Sequence, residues 1–444
     1  MLKRKAEKYI IKWIEGSKTA LLISGARQVG KTYTVRECLK MQECNYLEIN
    51  LIDKPEFITV LEQSASVDDL ITNITALADF RPVKGETIFF IDEVQEYKEI
   101  VTKIKFWVDE GSFRYILSGS LLGVELRALR SVPVGYLTKI KMYPMDFQEF
   151  LIASGVLGET IDYLRSCFEK CIPVNEAVND KMLKHLRRYL VVGGMPQAVQ
   201  EYVDSGNIGN VTQIQENIIE LYKRDYTKYE HIDKKLMLIT VFSQIPAQLL
   251  KQNRRFNYSD IKKKLRFERL ENSFLWLTYA GVAISVYNAT EPRVSLAQNV
   301  KSSLLKLYSS DVGLLTCQYG SALRARILLS GDNVNLGGIY ENCVAEELNS
   351  HGFDIYFYNS HKQGELDFVI EKDLSVIPIE VKSGKDYYVH SAISNVVSNE
   401  EYNIKEAIVL ANCNIEVKGS IKYMPVYMAM FIEDNVNFPV LEPI

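Results

Sequence analysis

No run of the sequence is long and apolar enough to cross a bilayer: every hydrophobic stretch stops short of the roughly 18 residues a spanning helix needs. Met1–Ile14 carries lysine and arginine, yet no long apolar core or small-residue cleavage site follows, which argues against a secretory leader. An excess of one charge is also missing. Lysine and arginine number 52 against 56 acidic residues, a formal net charge of −4. Nothing therefore draws the whole chain toward nucleic acid, and any such contact must come from a local patch. The seven cysteines are scattered, with no CxxC pair; Cys167 and Cys171 lie one helical turn apart but lack companions to complete a metal set. Free thiols in a reducing compartment are the plain reading. No segment is biased enough to be disordered. These absences describe a soluble cytoplasmic protein without a membrane partner, and 444 residues is room for about two to four domains.

What is present begins at Leu21–Thr32. The apolar run Leu21-Leu22-Ile23 ends in Gly25-Ala26-Arg27-Gln28-Val29-Gly30-Lys31-Thr32, the GxxxxGK[ST] pattern of a phosphate-binding loop. A buried strand delivers the chain to a glycine turn whose N–H groups face phosphate oxygens, and the following helix, from Thr32-Tyr33 onward, points its positive end at the anion. Lys31 reaches the β/γ-phosphates and Thr32 offers a hydroxyl to Mg²⁺, so ATP and Mg²⁺ are the expected cofactors.

Roughly 60 residues on, Ile88-Phe89-Phe90-Ile91-Asp92-Glu93 is a continuous apolar strand closed by two carboxylates. Strands buried on both faces of a parallel sheet read this way, and acids at their carboxyl ends lie where ligands bind. Asp92 is expected in the Mg²⁺ shell and Glu93 as the base that polarises the attacking water. That second acid favours hydrolysis over a nucleotide kinase. A third strand, Phe113–Leu117, ends in Ser118-Gly119-Ser120; its hydroxyls either touch the γ-phosphate as a sensor or simply make a turn.

Together these pieces resemble an AAA-type ATPase core. Tyr143-Pro144-Met145-Asp146-Phe147-Gln148-Glu149-Phe150 resembles the segment that follows the sensor in one group of bacterial and archaeal ATPases, and Gly193-Gly194-Met195-Pro196-Gln197-Ala198 resembles the GG-x-P-x-A segment of the same group. Where many members carry a Gly-Arg pair this chain has Gly135-Tyr136; Arg127 and Arg130 are nearby substitutes for an arginine finger. Residues 159–235 read as a helical, lid-like region.

Residues 236–300 show helical patterns followed by an alternating strand, Val282–Tyr287, the order of a winged helix. Lys251, Arg254, Arg255, Lys262, Lys263, Lys264, Arg266 and Arg269 fall here, opposed only by Asp260 and Glu268. The patch reads as a phosphate-contacting surface for DNA, or as a solvated face or inter-domain contact.

The last constellation runs from Gly338 to Gly384. Glu341 lies on an apolar helix face, Asp367 on a strand, and Glu380-Val381-Lys382 ends the next strand with 12 residues between Asp367 and Glu380. Glu380 and Lys382, two apart, project from one face. Two carboxylates for Mg²⁺, a lysine to orient water and a helical acid compose a metal-assisted phosphodiester hydrolysis site. The pattern resembles the PD-(D/E)XK nuclease superfamily, with Asp367 and Glu380 as the metal-holding acids. An inactive nuclease fold kept for binding is the competing reading.

The expected architecture is α/β: an AAA-type P-loop core over 1–158, a helical lid-like region over 159–235, a winged-helix-like region over 236–300 and a nuclease-like α/β domain over 301–444. This order resembles a widespread family of prokaryotic AAA-type ATPases with a C-terminal PD-(D/E)XK-like domain. Two metal-phosphate sites in one chain with a basic patch between them point to an ATP-hydrolysing protein acting on DNA, whose Mg²⁺-dependent nuclease is gated by nucleotide state. The alternative is a regulatory ATPase with a silent nuclease fold. A homo-oligomer, or a protein partner on the winged helix, is compatible with both.

Overall fold

The computed structural model describes residues 2–64, 66–120, 122, 135–226, 232–261, 267–329, 336–384 and 386–434. The chain forms two compact units, Met1–Tyr143 with Tyr279–Val282, and Pro144–Thr278 with Ala283–Ile444. Arg127, Arg130, Lys262, Lys263, Lys264 and Arg266 lie outside the described residues.

The first unit is built on β1 (Ala20–Ser24), β2 (Tyr46–Asn50), β3 (Ile88–Asp92), β4 (Arg114–Gly119) and β5 (Leu137–Lys141), in the spatial order β2-β3-β4-β1-β5. Every ladder is parallel. The three central strands β3, β4 and β1 are the continuously apolar runs, because helices cover a parallel sheet on both faces and leave no polar side. Leu22, Phe89, Ile91, Tyr115 and Leu117 pack against Ile100, Ile104 and Trp107 of the helix Ile100–Glu110. The basic-apolar pattern at the N-terminus forms the helix Ala6–Gly16, which buries Ile10, Trp13 and Ile14.

The second unit holds helices at Phe147–Ala153, Gly158–Lys170, Glu176–Val192, Pro196–Ser205 and Ile208–Tyr226. The two segments marked out by resemblance pack on each other. Met145 donates its N–H to the Gly194 carbonyl at 2.6 Å, and the Tyr189 hydroxyl donates to the Met145 carbonyl at 2.8 Å. A Cβ on Gly194 would lie 1.9 Å from that same Met145 oxygen, so only glycine fits. Gly194 donates in turn to the Asp311 carboxylate at 2.6 Å, and Leu314 to its other oxygen at 2.7 Å, so Asp311 caps the helix Val312–Gln318. Burial pushes the Asp311 carboxyl up to about 6 although these N–H groups favour its charge.

The rest of this unit is an eight-stranded mixed sheet of β6 (Ala283–Ala289), β7 (Val300–Ser309), β8 (Tyr356–Ser360), β9 (Gly364–Lys372), β10 (Ser375–Val381), β11 (Ala407–Ala411), β12 (Glu416–Lys418) and β13 (Ile421–Pro425). Its order is β12-β13-β11-β10-β9-β8-β6-β7. Residues 236–300, expected as a winged-helix-like region, contribute β6 to this sheet. After the helix Ile232–Leu249 a tight 3-10 turn, Tyr258–Asp260, lies where a helix was expected to start, and residues 262–266 beyond it lie outside the described residues. The helix Phe267–Tyr279 follows, and the strand expected as a wing is β6. Antiparallel to β7 and parallel to β8, β6 belongs to the same sheet as β9 and β10, so a boundary at residue 300 cuts through shared hydrogen bonding. The helix Gly337–Ser350 also differs from its expected one-sided apolar face: it is buried on nearly every side from Ile339 to Leu348.

Candidate functional site

The nucleotide loop sits at the carboxyl end of β1. Gly25 has φ 151°, and a Cβ there would lie 2.2 Å from the Met142 carbonyl oxygen, so the first glycine of the pattern is sterically required. Gly30, at φ 90°, starts the helix Lys31–Met41 without a side-chain cap, which leaves the helix N–H groups directed at a ligand. The Lys31 ammonium donates to the Gly25 and Ala26 carbonyls at 3.1 and 2.8 Å. Burial lowers Lys31 to about 8, while the charges of Glu93 and Asp92 pull the other way.

β3 brings the carboxylates alongside. The Thr32 hydroxyl donates to Asp92 Oδ2 at 2.6 Å, and Asp92 Oδ1 accepts the Glu93 N–H at 3.0 Å. Burial pushes the Asp92 carboxyl above its ordinary range, against the pull of the Thr32 hydroxyl. Glu93 takes a left-handed backbone, φ 57°, and accepts from the Gln95 amide. β4 lies between β1 and β3, so Ser118 and Ser120 end beside the loop. Ser120 Oγ accepts from Arg27 Nε at 3.3 Å, and the buried Ser118 hydroxyl sits beside Asp92, where it favours the carboxylate's charge. Gln28 takes a left-handed backbone, Val29 is buried, and Tyr33 is exposed on the outer side of the helix. The Thr32 hydroxyl and the buried Asp92 carboxylate, with a second hydroxyl at Ser118, are a donor set that fits a hard divalent cation such as Mg²⁺.

The second centre gathers Glu341, Asp367, Glu380 and Lys382 on one helix and two adjoining strands, β9 and β10. Asp367 Oδ2 accepts the Val381 N–H at 2.9 Å, and the Lys382 ammonium donates to Glu380 Oε1 at 2.7 Å. Glu380 Oε2 is buried with no hydrogen-bond partner. Three groups join them that the sequence reading did not include. Lys306 of β7 is buried, with Nζ 3.0 Å from Glu365 Oε1, 3.6 Å from Asp367 Oδ1 and 3.9 Å from Glu341 Oε2. The Tyr308 hydroxyl donates to Glu341 Oε2 at 3.1 Å, and Glu365 supplies a further acid. β7 is not a ladder neighbour of β9; the Lys306 ammonium passes 5.2 Å from the Phe357 ring of β8 to reach it. The available signal was a single lysine in the apolar run Leu304–Tyr308, a residue that is buried only with a partner.

Among the described residues of the basic patch, three face acids of the chain and one is exposed. Arg254 turns inward and pairs with Glu341 at 2.5 Å, Arg255 lies 3.6 Å from Glu365, and Lys251 pairs with Asp260. Arg269 is exposed on the helix Phe267–Tyr279. Burial pushes the Glu341 carboxyl up to about 8, seconded by the Asp367 charge and opposed by Lys306 and Arg254. Glu380 is pushed up to about 7 by burial and by Asp367. Burial alone would lower Lys306, but the charges of Glu341, Asp367 and Glu365 outweigh it and hold it above its ordinary range. Each carboxylate here faces a cation of the chain itself, so the centre does not fit a resident divalent ion as the nucleotide site does.

An all-parallel sheet with a phosphate loop at the end of β1 and a hydroxyl-carboxylate pair at the end of β3 defines an AAA-type P-loop ATPase domain. Residues 17–151 match the AAA domain family. Residues 183–324 and 336–428 match two domains of unknown function, DUF8612 and DUF4143. The chain is similar to the Walker-type ATPase of Pyrococcus abyssi at 16% identity, over 72% of this chain and 96% of that one, with a TM-score of 0.44. It is also similar to Cdc6p of Pyrobaculum aerophilum (11% identity, 74% and 96% covered, TM-score 0.27). The Thermotoga maritima RuvB Holliday junction branch migration motor gives 12% identity, 66% and 91% coverage and a TM-score of 0.29. No curated protein matches. Among the described residues, no helix is long and apolar enough to cross a membrane.

Proposed function

We propose that the chain is an ATP hydrolase that binds DNA through its second unit, where a nuclease-type layout is used for holding rather than cutting. The observation that carries the ATPase reading is the Thr32 hydroxyl on Asp92 at 2.6 Å, with Glu93 next in the chain. Thr32 and Asp92 would hold Mg²⁺, which when bound neutralises charge on the phosphate oxygens. Lys31 steadies the charge that develops on the leaving phosphate, and Glu93 takes the proton of the attacking water.

The DNA reading is supported by an aromatic face in the second unit. The rings of Tyr387 and Tyr388 lie 4.4 Å apart, Tyr388 and Tyr423 5.0 Å, and the Lys418 ammonium sits 3.7 Å above the exposed Tyr388 ring. Tyr388 is the exposed ring among them, Tyr423 being buried, and Lys418 also pairs with Glu416 at 3.1 Å. An exposed ring beside an amine is the kind of group on which a single-stranded base stacks. His390 shares a hydrogen bond with the Tyr423 hydroxyl of this face at 2.6 Å. Glu341 on a helix, Asp367 on β9 and Glu380-Val381-Lys382 at the end of β10 support the resemblance to the PD-(D/E)XK pattern. A Mg²⁺-dependent cutting role is the second reading, favoured by the unsatisfied Glu380 Oε2.

The test combines ATP turnover, fluorescence anisotropy on single-stranded and duplex DNA, and incubation of plasmid, linear and branched DNA with Mg²⁺ or Mn²⁺, with and without ATP. Lys31→Ala should abolish turnover, and Tyr388→Ala should weaken DNA binding by about 1–3 kcal/mol. No cleavage should depend on Asp367. Cleavage lost in Asp367→Ala would establish the cutting reading, and an absence of DNA affinity would remove the holding one.

A further inference from the structure

The acidic centre of the second unit has the acids of a metal site, and each of them faces a lysine or arginine of the chain itself, with Glu380 Oε2 left without a hydrogen bond. Both oxygens of Asp367 are engaged by the chain itself: Oδ2 accepts the Val381 N–H at 2.9 Å, and Oδ1 lies 3.6 Å from the Lys306 ammonium. Both oxygens of Glu341 are engaged as well, Oε1 by Arg254 at 2.5 Å and Oε2 by Tyr308 at 3.1 Å, with Lys306 at 3.9 Å. Glu365 adds a third acid on Lys306, at 3.0 Å, and Arg255 flanks it at 3.6 Å. The position of Lys306 is fixed from its own strand, since an isolated antiparallel bridge joins Arg255 to Lys306 and Phe256 donates its N–H to the Leu305 carbonyl at 2.9 Å. The same short backbone contact therefore delivers Arg254, Arg255 and Lys306 to one point. A buried ammonium held by three carboxylates is costly to leave without them, and a dication brought among the same oxygens would face it and the Arg254 guanidinium at close range.

We propose that Lys306, backed by Arg254, is the resident cation of this centre and stands where a divalent ion would otherwise be held, so that the wild-type centre takes up no Mg²⁺ or Mn²⁺. The proposal deepens the holding reading of the second unit and rests on it. The acids of the PD-(D/E)XK-like pattern are retained here as the shell of an internal ion cluster. That cluster ties the helix Gly337–Ser350, β7 and β9 together and leaves Lys382 at its rim.

The experiment counts bound Mn²⁺ by electron paramagnetic resonance on the full chain, without nucleotide, in an Asp92→Asn background that silences the first site. The parent should bind no Mn²⁺ at the second centre, and Lys306→Arg should behave like the parent. Lys306→Met should gain one Mn²⁺ per chain, with affinity about tenfold or more above the parent, and adding Asp367→Asn should remove it. Uptake by the parent that disappears with Asp367→Asn overturns the proposal. A folded Lys306→Met chain that gains no Mn²⁺ overturns it too, because the acids would then not be a masked metal site. If Lys306→Met fails to fold, it is refolded with Mn²⁺: recovery of the folded state supports substitution of one cation by the other, and failure to recover overturns it. DNA affinity is measured in parallel without metal. Its absence ends the holding reading and leaves the manganese result intact, whereas Mn²⁺ uptake by the parent ends the proposal and leaves the affinity intact.

Discussion

The two units each place buried acids at the ends of neighbouring strands, and they differ in what neutralises them. At the end of β3, Asp92 meets a hydroxyl and a backbone N–H, while the nearby Lys31 is held by loop carbonyls and not by the acid. At β9 and β10, Asp367, Glu341, Glu365 and Glu380 each face a lysine or arginine. A carboxylate paired with a neutral donor keeps an appetite for an external cation; one paired with an internal cation has spent it. Residue type at the acid is thus a poor guide to chemistry until the counter-charge is known.

The largest effect that would test this contrast is at Glu93. If the first site is the open one, Glu93→Gln should cut ATP turnover by about 10²–10⁴-fold while ATP still binds, measured by steady-state hydrolysis beside a nucleotide-binding titration. Unchanged turnover would move the base elsewhere. At the closed centre the expected effect is on stability. Arg254→Met leaves Glu341 buried beside one cation fewer and should cost about 3–5 kcal/mol in denaturant unfolding. Arg254→Met with Glu341→Gln should recover part of that loss, since the charge left behind is then removed as well. A double variant no better than the single would show that packing of the arginine, not the ion pair, is at stake.

The smallest effect concerns pH. In the free protein Lys31 is lowered to about 8, chiefly by burial, and its folded value lies below that of the unfolded chain. The phosphates require the protonated form, so ATP affinity should be steady below about pH 8 and fall above it, by up to about tenfold per pH unit. The ATP dissociation constant followed across this range checks it, and a flat profile would mean that Lys31 is charged throughout. For stability the sign is opposite. Between about 8 and the unfolded value the unfolded chain binds more protons, so the Lys31 penalty on folding is relieved as pH rises.

The nucleotide loop was legible because its chemistry is local: Gly25, Gly30, Lys31 and Thr32 act within one turn, and the apolar strand before Asp92 announces a buried parallel sheet. The strands carrying Asp367 and Glu380 were legible for the same reason. Lys306 was not, because its partners lie 35 to 61 residues further along the chain and its own surroundings read only as an apolar strand. Arg254 misled in the opposite direction. A run of basic residues looks solvated until an isolated bridge turns part of it inward. The supposed wing misled because alternation specifies a strand and says nothing of which sheet receives it.

The wiring of Met145, Gly194 and Asp311 has a consequence for how the second unit is made. Gly194 hands its N–H to a residue 117 positions further on, and Phe147 hands its own to Glu347, 200 positions away. A ribosome that has released only the helices before residue 300 has released donors whose acceptors do not yet exist. Such distant closures are slow to find and reward the chain only once complete. The second unit should therefore acquire its native protection late in synthesis, nearly all at once, when the segment carrying Asp311 and Glu347 arrives.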